Sequence, residues 1–251
     1  NHLKSKYGNA IPEILAYQEE RQERLNVLEN YEACLSKLQK ELASCEAELF
    51  ENAGKMSKIR KKYAFDLSVK IKEALEDLNF LDVQFEIAFE PLETPGILGI
   101  DEICFMISTN PGSPVKPLNE VASGGELSRI MLALKAVLAD KDATETLIFD
   151  EIDVGISGRT AQKVSEKMAV LAKRHQVICI THLAQIASMA DSHYVIEKKV
   201  ENQVTFTSIQ KLSEKESVEE LARILGGAEI TPTVLKSARE MKELAAQMKK
   251  S

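Results

Sequence analysis

The chain has 251 residues, of which 44% are hydrophobic and 28% charged, a composition that allows a sizeable core and is typical of a soluble, helix-rich protein. Its formal net charge of −7 excludes a protein that binds nucleic acid through a generally basic surface, so any such contact needs a local basic patch. No apolar run approaches the roughly 18 residues of a membrane-spanning helix, so we predict no membrane partner.

The first predicted element is a long helix over residues 12–78, because apolar residues recur there at alternating steps of three and four. Arg21, Arg24 and Asn52 occupy positions in this heptad stripe and weaken it. A long helix with one narrow apolar stripe needs a partner helix, so residues 1–78 are predicted to be a coiled-coil arm; a helix of an ordinary bundle is the alternative. The stripe consists of Ile14, Tyr17, Leu28, Tyr31, Leu35, Leu38, Leu42, Cys45, Leu49, Met56, Ile59 and Tyr63.

Residues 79–251 are predicted to form an α/β lobe. Period-two alternation predicts a strand near residues 83–89, Pro91 and Pro95-Gly96 predict the turn that follows it, and residues 103–108 predict a second strand. Short apolar strands then alternate with helices, which is typical of a sheet covered by helices. The predicted helices are residues 127–139, 160–174, 183–189 and 232–249, and the strands are residues 146–149, 177–180, 193–198 and 204–210.

A Ser-Gly-Gly-Glu run opens the helix at residue 127. Ser123 and Glu126 have the spacing of a capping box, which is a structural explanation of the run but an incomplete one. The hydroxyl and the bare N–H groups of Gly124 and Gly125 would also make this helix end attractive to phosphate. Both interpretations are compatible.

Two adjacent carboxylates follow the apolar run 146–149. A buried strand would deliver Asp150 to the carboxyl edge of the sheet, where open α/β sheets bind ligands. An Asp there can hold the Mg²⁺ of a nucleotide, and the adjacent Glu151 can orient or deprotonate water. The alternative is a pair of solvated carboxylates at a strand end.

Two further segments follow strands in the same region. Asp153 to Gly158 is a glycine-containing loop that leads into a helix, and Thr181-His182-Leu183 ends the next apolar strand. Taken singly, the first is an ordinary strand–helix connection, and the second is a helix-capping threonine beside an incidental histidine.

Together, in this order, the four segments resemble the C-terminal lobe of an ABC-type ATPase head: signature motif, Walker B with its glutamate, D-loop and H-loop. The coiled coil leading into the lobe is similar to the SMC-like branch. The residues within these motifs resemble those of the RecN family of bacterial recombination and repair proteins, and the resemblance covers nearly the whole chain. The runs that carry this resemblance are Lys4–Gly8, Ile107–Gly112, Ala122–Ala133, Phe149–Gly158 and Thr181–Ala187.

The resemblance implies two heads that sandwich two ATP molecules, as a homodimer on ATP binding. It implies signature-motif contacts to the γ-phosphate in trans, Mg²⁺ at Asp150, water activation by Glu151 and a γ-phosphate contact from His182. Coupling of the two sites is assigned to the D-loop. The implied signature residues are Ser123, Gly124, Gly125 and Glu126, and the implied D-loop residues are Asp153, Gly155 and Ser157.

A P-loop is the part that this sequence does not supply. The one Gly-Lys pair, Gly54-Lys55, is followed by Met56, has Leu49 where a P-loop needs glycine, and lies within the heptad pattern. We therefore expect the Walker A motif on a separate N-terminal lobe of the same protein and predict that this chain alone does not hydrolyse ATP. The first residue, Asn1, is likewise expected to lie inside a longer protein.

DNA and a location in the bacterial cytosol, at the nucleoid, are implied by the resemblance to repair proteins. A basic stretch over residues 55–72 supports DNA contact weakly, and a solvated helix face is the alternative. The candidate residues are Lys58, Arg60, Lys61 and Lys62. Four cysteines without CxxC pairing agree with reduced thiols in a cytosolic protein.

Three other functions compete with this interpretation. The first is another SMC-like or RecF-like repair ATPase. The second is a coiled-coil interaction module with an inactive head, against which the intact Asp150-Glu151 pair argues. The third is a transporter ATPase subunit, which the long amphipathic coil disfavours.

Overall fold

The computed structural model describes residues 2–8, 10–120, 124–201, 204–227 and 229–250. The chain divides into two compact units, one of Asn1–Lys61 with Glu90–Glu102 and the other of Lys62–Phe89 with Ile103–Ser251. Within the described ranges, no helix combines the length and the apolar character that crossing a membrane requires. The predicted arm–lobe boundary at residue 78 stays a prediction.

Three helices occupy the N-terminal region: α1 (His2–Tyr7), α2 (Ile11–Glu29) and α3 (Tyr31–Asp77). Asn30 separates the last two, and its backbone N–H and its side-chain amide both donate to the carbonyl of Asn26, at 3.1 and 2.9 Å. This local competition for a helix carbonyl accounts for the break in the predicted helix. Leu38 and Leu42 of the heptad stripe are 62% and 59% exposed.

A long hairpin follows, made of β1 (Gln84–Gly96) and β2 (Gly99–Ser108). The turn predicted at Pro91 and Pro95-Gly96 is wrong, because β1 runs through both prolines and the turn lies at residues 97–98. β1 is the outer strand in the order β1-β2-β3, and an edge strand tolerates proline because one row of its N–H groups needs no partner strand.

The second unit contains the predicted α/β lobe. After β3 (Lys116–Pro117) and a 3₁₀ turn (Leu118–Glu120) come α4 (Gly124–Leu138), β4 (Thr146–Phe149), α5 (Gly158–Leu171) and β5 (Gln176–Cys179). β4 and β5 pair in parallel, with Thr146 opposite Gln176 and Phe149 opposite Cys179. The prediction of an α/β lobe with a long helical segment is confirmed.

The chain then forms α6 (Ala184–Ala187), an antiparallel pair β6 (Tyr194–Glu201) and β7 (Val204–Lys211), α7 (Glu214–Gly226) and α8 (Pro232–Lys250). α7 was not among the predicted helices. Its signal was present, because Ser213 and Glu216 form a complete capping box in which each side chain accepts from the other's backbone N–H.

The main core of this unit packs the end of α3 and the faces of α4 and α5 against β4. Ile71, Ile130 and Val164 are fully buried within it. A smaller cluster joins α6, α7 and α8 around Leu221 and Ala238. Because β4 is anchored by the main core, the residues that follow it are held at a defined edge of the sheet.

Candidate functional site

The predicted functional segments meet at the carboxyl ends of β4 and β5. The backbone N–H of Ile180 donates to the carbonyl of Phe149 at 3.1 Å, which extends the parallel ladder to the last residue of β4. Asp150 and Glu151 therefore begin one loop, and Thr181 and His182 begin the neighbouring one. Parallel pairing in this register is what brings the segments predicted to be Walker B and the H-loop side by side.

The first turn of α4 lies directly against the loop after β4. A Cβ atom on Gly125 would lie 3.0 Å from the carbonyl oxygen of Glu151 and 3.0 Å from Cβ of Val154. A Cβ atom on Gly124 would overlap the carboxylate of Glu151. Gly125 therefore lies close to the backbone of this loop, whereas a side chain at position 124 would first displace the flexible carboxylate of Glu151. Ser123 lies outside the described residues.

Two side chains of α4 fasten the helix to the same loop. The hydroxyl of Ser128 donates to the carbonyl of Asp150 at 2.8 Å. Arg129, only 8% exposed, donates through Nη1 to the carbonyl of Val154 at 2.9 Å, and its guanidinium lies 5.5 Å from the centre of the Phe80 ring. Burial lowers the pKa of Arg129, and the nearby Glu126 carboxylate opposes that shift.

The acidic pair has an unusual backbone. Glu151 has φ 57°, in the left-handed region that residues other than glycine rarely adopt. Its backbone N–H donates to Oδ1 of Asp150 at 2.9 Å, and both residues are exposed. Strained backbone of this kind is held in place by surrounding structure and is common at functional sites. The arrangement points two carboxylates toward solvent beside the N-terminus of α4.

Asp153 joins the two loops. Its side chain is 5% exposed, and its Oδ2 atom accepts from the hydroxyl of Thr181 at 2.6 Å and from the backbone N–H of His182 at 2.9 Å. Nδ1 of His182 also lies 3.0 Å from this oxygen, while the imidazole side chain remains 74% exposed. The sequence-predicted Asp153 and His182 are therefore in contact within one lobe.

The other two residues predicted for a D-loop, Gly155 and Ser157, lie just before α5. Gly155 has φ 75°, which glycine adopts without strain, and Ser157 occupies the N-cap position of α5 with an extended backbone. Gly155 and Arg129 border a cavity of 420 Å³, as does Asn110 from the loop after β2. Asn110 and Pro111 of the run singled out in the sequence thus border the same cavity as α4.

The electrostatics of the edge are acidic. Burial, together with Asp153 and Asp150, raises the pKa of Cys179 to about 12, so this thiol is a poor nucleophile at neutral pH. The described residues contain no group of three or more His, Cys, Asp or Glu side chains placed to hold a metal ion. A Mg²⁺ ion needs no such cage when phosphates supply most of its ligands, so one exposed carboxylate such as Asp150 fits it.

The four basic residues proposed for DNA lie on α3 and differ in their surroundings. Nη1 of Arg60 donates to the carbonyl of Leu98 at 2.6 Å, and Nζ of Lys61 lies 3.9 Å from Oδ1 of Asp101. Lys58 and Lys62 are exposed. Arg60 and Lys61 therefore have contacts within the first unit, to the hairpin segment 90–102.

Comparison with known proteins gives matches along nearly the whole chain. The DNA repair protein RecN of Halalkalibacterium halodurans is 39% identical over 98% of this chain, and RecN of Bacillus subtilis is 38% identical over 98%. RecN of Deinococcus radiodurans is 36% identical over 95%. This chain is a relative of RecN. The resemblance predicted from the four motifs is confirmed.

The match covers only part of each RecN relative. The chain spans 44% of the H. halodurans protein, 46% of the B. subtilis protein and 42% of the D. radiodurans protein. Among solved structures, the Smc head domain with a coiled coil and joint from Pyrococcus yayanosii superposes with a TM-score of 0.52 at 18% identity, over 84% of this chain and 38% of that one. This confirms the predicted fold. No family model matches the chain.

Sequence analysis placed Ser128 and Arg129 within a motif of this RecN-like site but did not predict the contacts that these two residues make. Ser128 and Arg129 tie α4 to the loop after β4. Arg129 directly precedes the apolar run from Ile130 to Leu134, and this position beside a buried helix face would have been a usable signal, because a buried arginine needs acceptors nearby.

Proposed function

We propose that this chain is the part of an SMC-like ATPase head that carries the signature motif, the Walker B acids, the D-loop and the H-loop, in a protein that repairs DNA double-strand breaks in the bacterial cytosol. The observation that carries the proposal is the convergence of Gly125, Glu151 and His182 at the carboxyl ends of two parallel strands. The matches to RecN support the role in repair.

In the proposed reaction, ATP is bound between two heads and the terminal phosphate is transferred to water. Glu151, exposed and next to the N-terminus of α4, orients and deprotonates that water. The first-turn N–H groups of α4, with the Ser123 hydroxyl, face the γ-phosphate of a nucleotide bound by the other head. His182 contacts the same phosphate from the neighbouring loop.

Asp150 is the residue that would hold Mg²⁺, directly or through water. When bound, the metal ion neutralises phosphate charge. Ser128 and the backbone N–H of Glu151 fix Asp150 from both sides, because one donates to its carbonyl and the other to its carboxylate. D-loop residues Gly155 and Ser157 couple the two sites across the pair of heads.

A second lobe of the same protein is proposed to cover the open face of the β4–β5 sheet. Ile148, Ile178 and Ile180 are 68%, 44% and 52% exposed, and they alternate with more buried neighbours. Parallel sheets are normally covered on both faces, so three isoleucines in this position favour a further layer. The RecN relatives are more than twice as long as this chain, which leaves room for a lobe with a P-loop.

Glu151→Gln tests the role of the proposed base. In the full-length protein, the variant keeps ATP binding, because the amide has the size of the carboxylate, but cannot accept the proton from water. We expect kcat to fall by about 100-fold or more and the engaged, ATP-bound dimer to accumulate, as measured by steady-state phosphate release and by size-exclusion chromatography with ATP. Hydrolysis at the parent rate would remove Glu151 from this role.

The isolated chain tests the division of labour between lobes. We expect no phosphate release above background from these 251 residues. Turnover should appear when the P-loop lobe is supplied as a separate polypeptide. Robust hydrolysis by the chain alone would contradict the proposal and favour a complete site within it.

DNA binding through the basic stretch of α3 is tested with Lys58→Glu and Lys62→Glu. These two residues are chosen because Arg60 and Lys61 contact the hairpin segment, where charge reversal would also disturb structure. We expect a weaker affinity for duplex DNA and a smaller salt dependence of binding. An unchanged affinity at low salt would assign this stretch to a solvated helix face. Absence of ATP hydrolysis in the full-length parent would favour an interaction module with an inactive head.

A further inference from the structure

We propose that Asp153 is a positioning residue for His182, which holds the imidazole with Nδ1 toward its carboxylate so that Nε2 is presented to the terminal phosphate. The statement that Nε2 faces a phosphate rests on the proposed function. The statement that Nδ1 faces Asp153 does not. Asp153 comes from the loop after β4 and His182 from the loop after β5, 29 residues apart in sequence.

The carboxylate is buried, and the donors around it compensate for that burial. Three groups converge on the single atom Oδ2: the Thr181 hydroxyl at 2.6 Å, the His182 backbone N–H at 2.9 Å and His182 Nδ1 at 3.0 Å. A carboxylate with 5% exposure is costly unless such donors surround it. The Asp153 carboxylate is therefore the common acceptor for groups from the loop after β5.

Two of the three contacts, from the Thr181 hydroxyl and the His182 backbone N–H, are enough to hold the two loops together. Thr181 donates its hydroxyl to Asp153 and accepts the backbone N–H of Leu183 at 3.0 Å, so the turn into α6 is fixed. The backbone contact of His182 fixes the point from which its side chain leaves the chain. Holding the loops together does not involve the imidazole ring of His182. The contact between this ring and Asp153 therefore requires a separate explanation.

The ring contact selects one nitrogen. A carboxylate oxygen 3.0 Å from Nδ1 favours a proton on Nδ1 over a lone pair, because two lone pairs would repel. With Nδ1 facing the buried carboxylate and the side chain 74% exposed, Nε2 is the nitrogen left for a ligand. Phosphate oxygens only accept, so a ring that touches both partners carries a proton on each nitrogen.

The proton position is measured by long-range ¹H–¹⁵N NMR on the ¹⁵N-histidine-labelled chain at about pH 8.5, about two units above the ordinary histidine pKa. The chain has four histidines, and His182→Gln assigns the resonances of interest. We expect the neutral His182 ring to be protonated on Nδ1. A ring protonated on Nε2 in the parent would overturn the proposal without any variant.

Two variants separate positioning from bracing. Thr181→Val removes the hydroxyl brace and leaves the carboxylate beside the ring, so the Nδ1 proton should persist. Asp153→Ala removes both, and the Nδ1 preference should be lost. The same tautomer in Asp153→Ala as in the parent would overturn the proposal, as would loss of the Nδ1 proton in Thr181→Val.

In the full-length protein, the same variants are tested for ATP hydrolysis. Asp153→Ala and His182→Ala should each lower kcat by about 100-fold with little change in KM, and the double variant should be no slower than either single one. Additive losses would contradict action through His182. Absence of ATPase activity in the parent would refute the proposed function and leave the NMR result to decide the ring orientation.

Discussion

Replacing Gly125 by alanine tests how tightly α4 must approach the loop that carries Glu151. The new Cβ atom would lie 3.0 Å from the Glu151 carbonyl oxygen, 3.0 Å from Cβ of Val154 and 3.1 Å from the Val154 carbonyl oxygen. Two of these atoms belong to the backbone, so relief requires a shift of the helix or of the loop. A change of rotamer would not provide it.

The expected magnitude is a balance of two terms. Alanine is favoured over glycine within a helix by about 1 kcal/mol, and less in the first turn. Overpacking at a site without room destabilises by about 1–3 kcal/mol. We therefore expect Gly125→Ala to lower the free energy of unfolding by about 1 kcal/mol, which corresponds to a fall in Tm of about 2–4 °C for a domain of this size.

Gly54→Ala is the matched control. Gly54 lies inside α3, and a Cβ atom there would meet nothing within 4 Å. The same substitution should therefore stabilise α3 by about 0.5–1 kcal/mol. The two glycines belong to different units, so the effect of each substitution has to be measured in its own unit.

The assay combines urea unfolding, followed by circular dichroism, with amide hydrogen exchange. Gly125→Ala should lower the midpoint and speed exchange in residues 147–154. Gly54→Ala should slow exchange in α3 alone. If Gly125→Ala stabilised the chain as Gly54→Ala does, the close approach of α4 to this loop would be refuted, and with it the reason for a glycine at this position.

Three further predictions follow from buried or paired groups. Arg129→Met leaves the carbonyls at the end of the β4 loop without their donor and should destabilise the lobe by about 2–4 kcal/mol in urea unfolding; a loss below about 0.5 kcal/mol would contradict its bracing role. Cys179, with its raised pKa, should be alkylated at pH 8 far more slowly than the exposed Cys45, as followed by peptide mass spectrometry; equal rates would be inconsistent with its burial. The hydrogen bond from Lys135 holds the pKa of Asp142 well below its usual range, so its stabilising effect is present above about pH 4 and is lost as the pH falls further. The stability gap between parent and Asp142→Asn should therefore shrink below about pH 4, and a constant gap would show that the pair is not responsible.

Secondary structure was predictable where local pattern and burial agree. The apolar runs at residues 146–149 and 177–180 predicted β4 and β5 to within a residue, because strands of parallel sheets have continuous apolar sequences, although one face of this pair is exposed in the chain. The Thr231-Pro232 start of α8 was equally clear, since its geometry is local: the Thr231 hydroxyl accepts the backbone N–H of Val234 at 3.3 Å.

The hairpin was mispredicted because proline was treated as a turn signal without regard to strand position. Pro91 and Pro95 are compatible with β1 because it is an edge strand, and edge status depends on the order of strands in the sheet. The roles of Lys58 and Arg60 could not be separated either. They have the same charge and lie two residues apart, but Arg60 donates to the hairpin carbonyl of Leu98.

The sequence by itself determined which chemical groups are available and in what order: a glycine pair at a helix start, two carboxylates after one strand and a histidine after the next. Tertiary structure alone decided that Asp153 meets His182 and that Gly125 lies against Glu151. The physical reason is that these contacts depend on the parallel register of β4 and β5 and on the seating of α4 over their ends. Such long-range geometry leaves no periodic trace in the residues that it brings together.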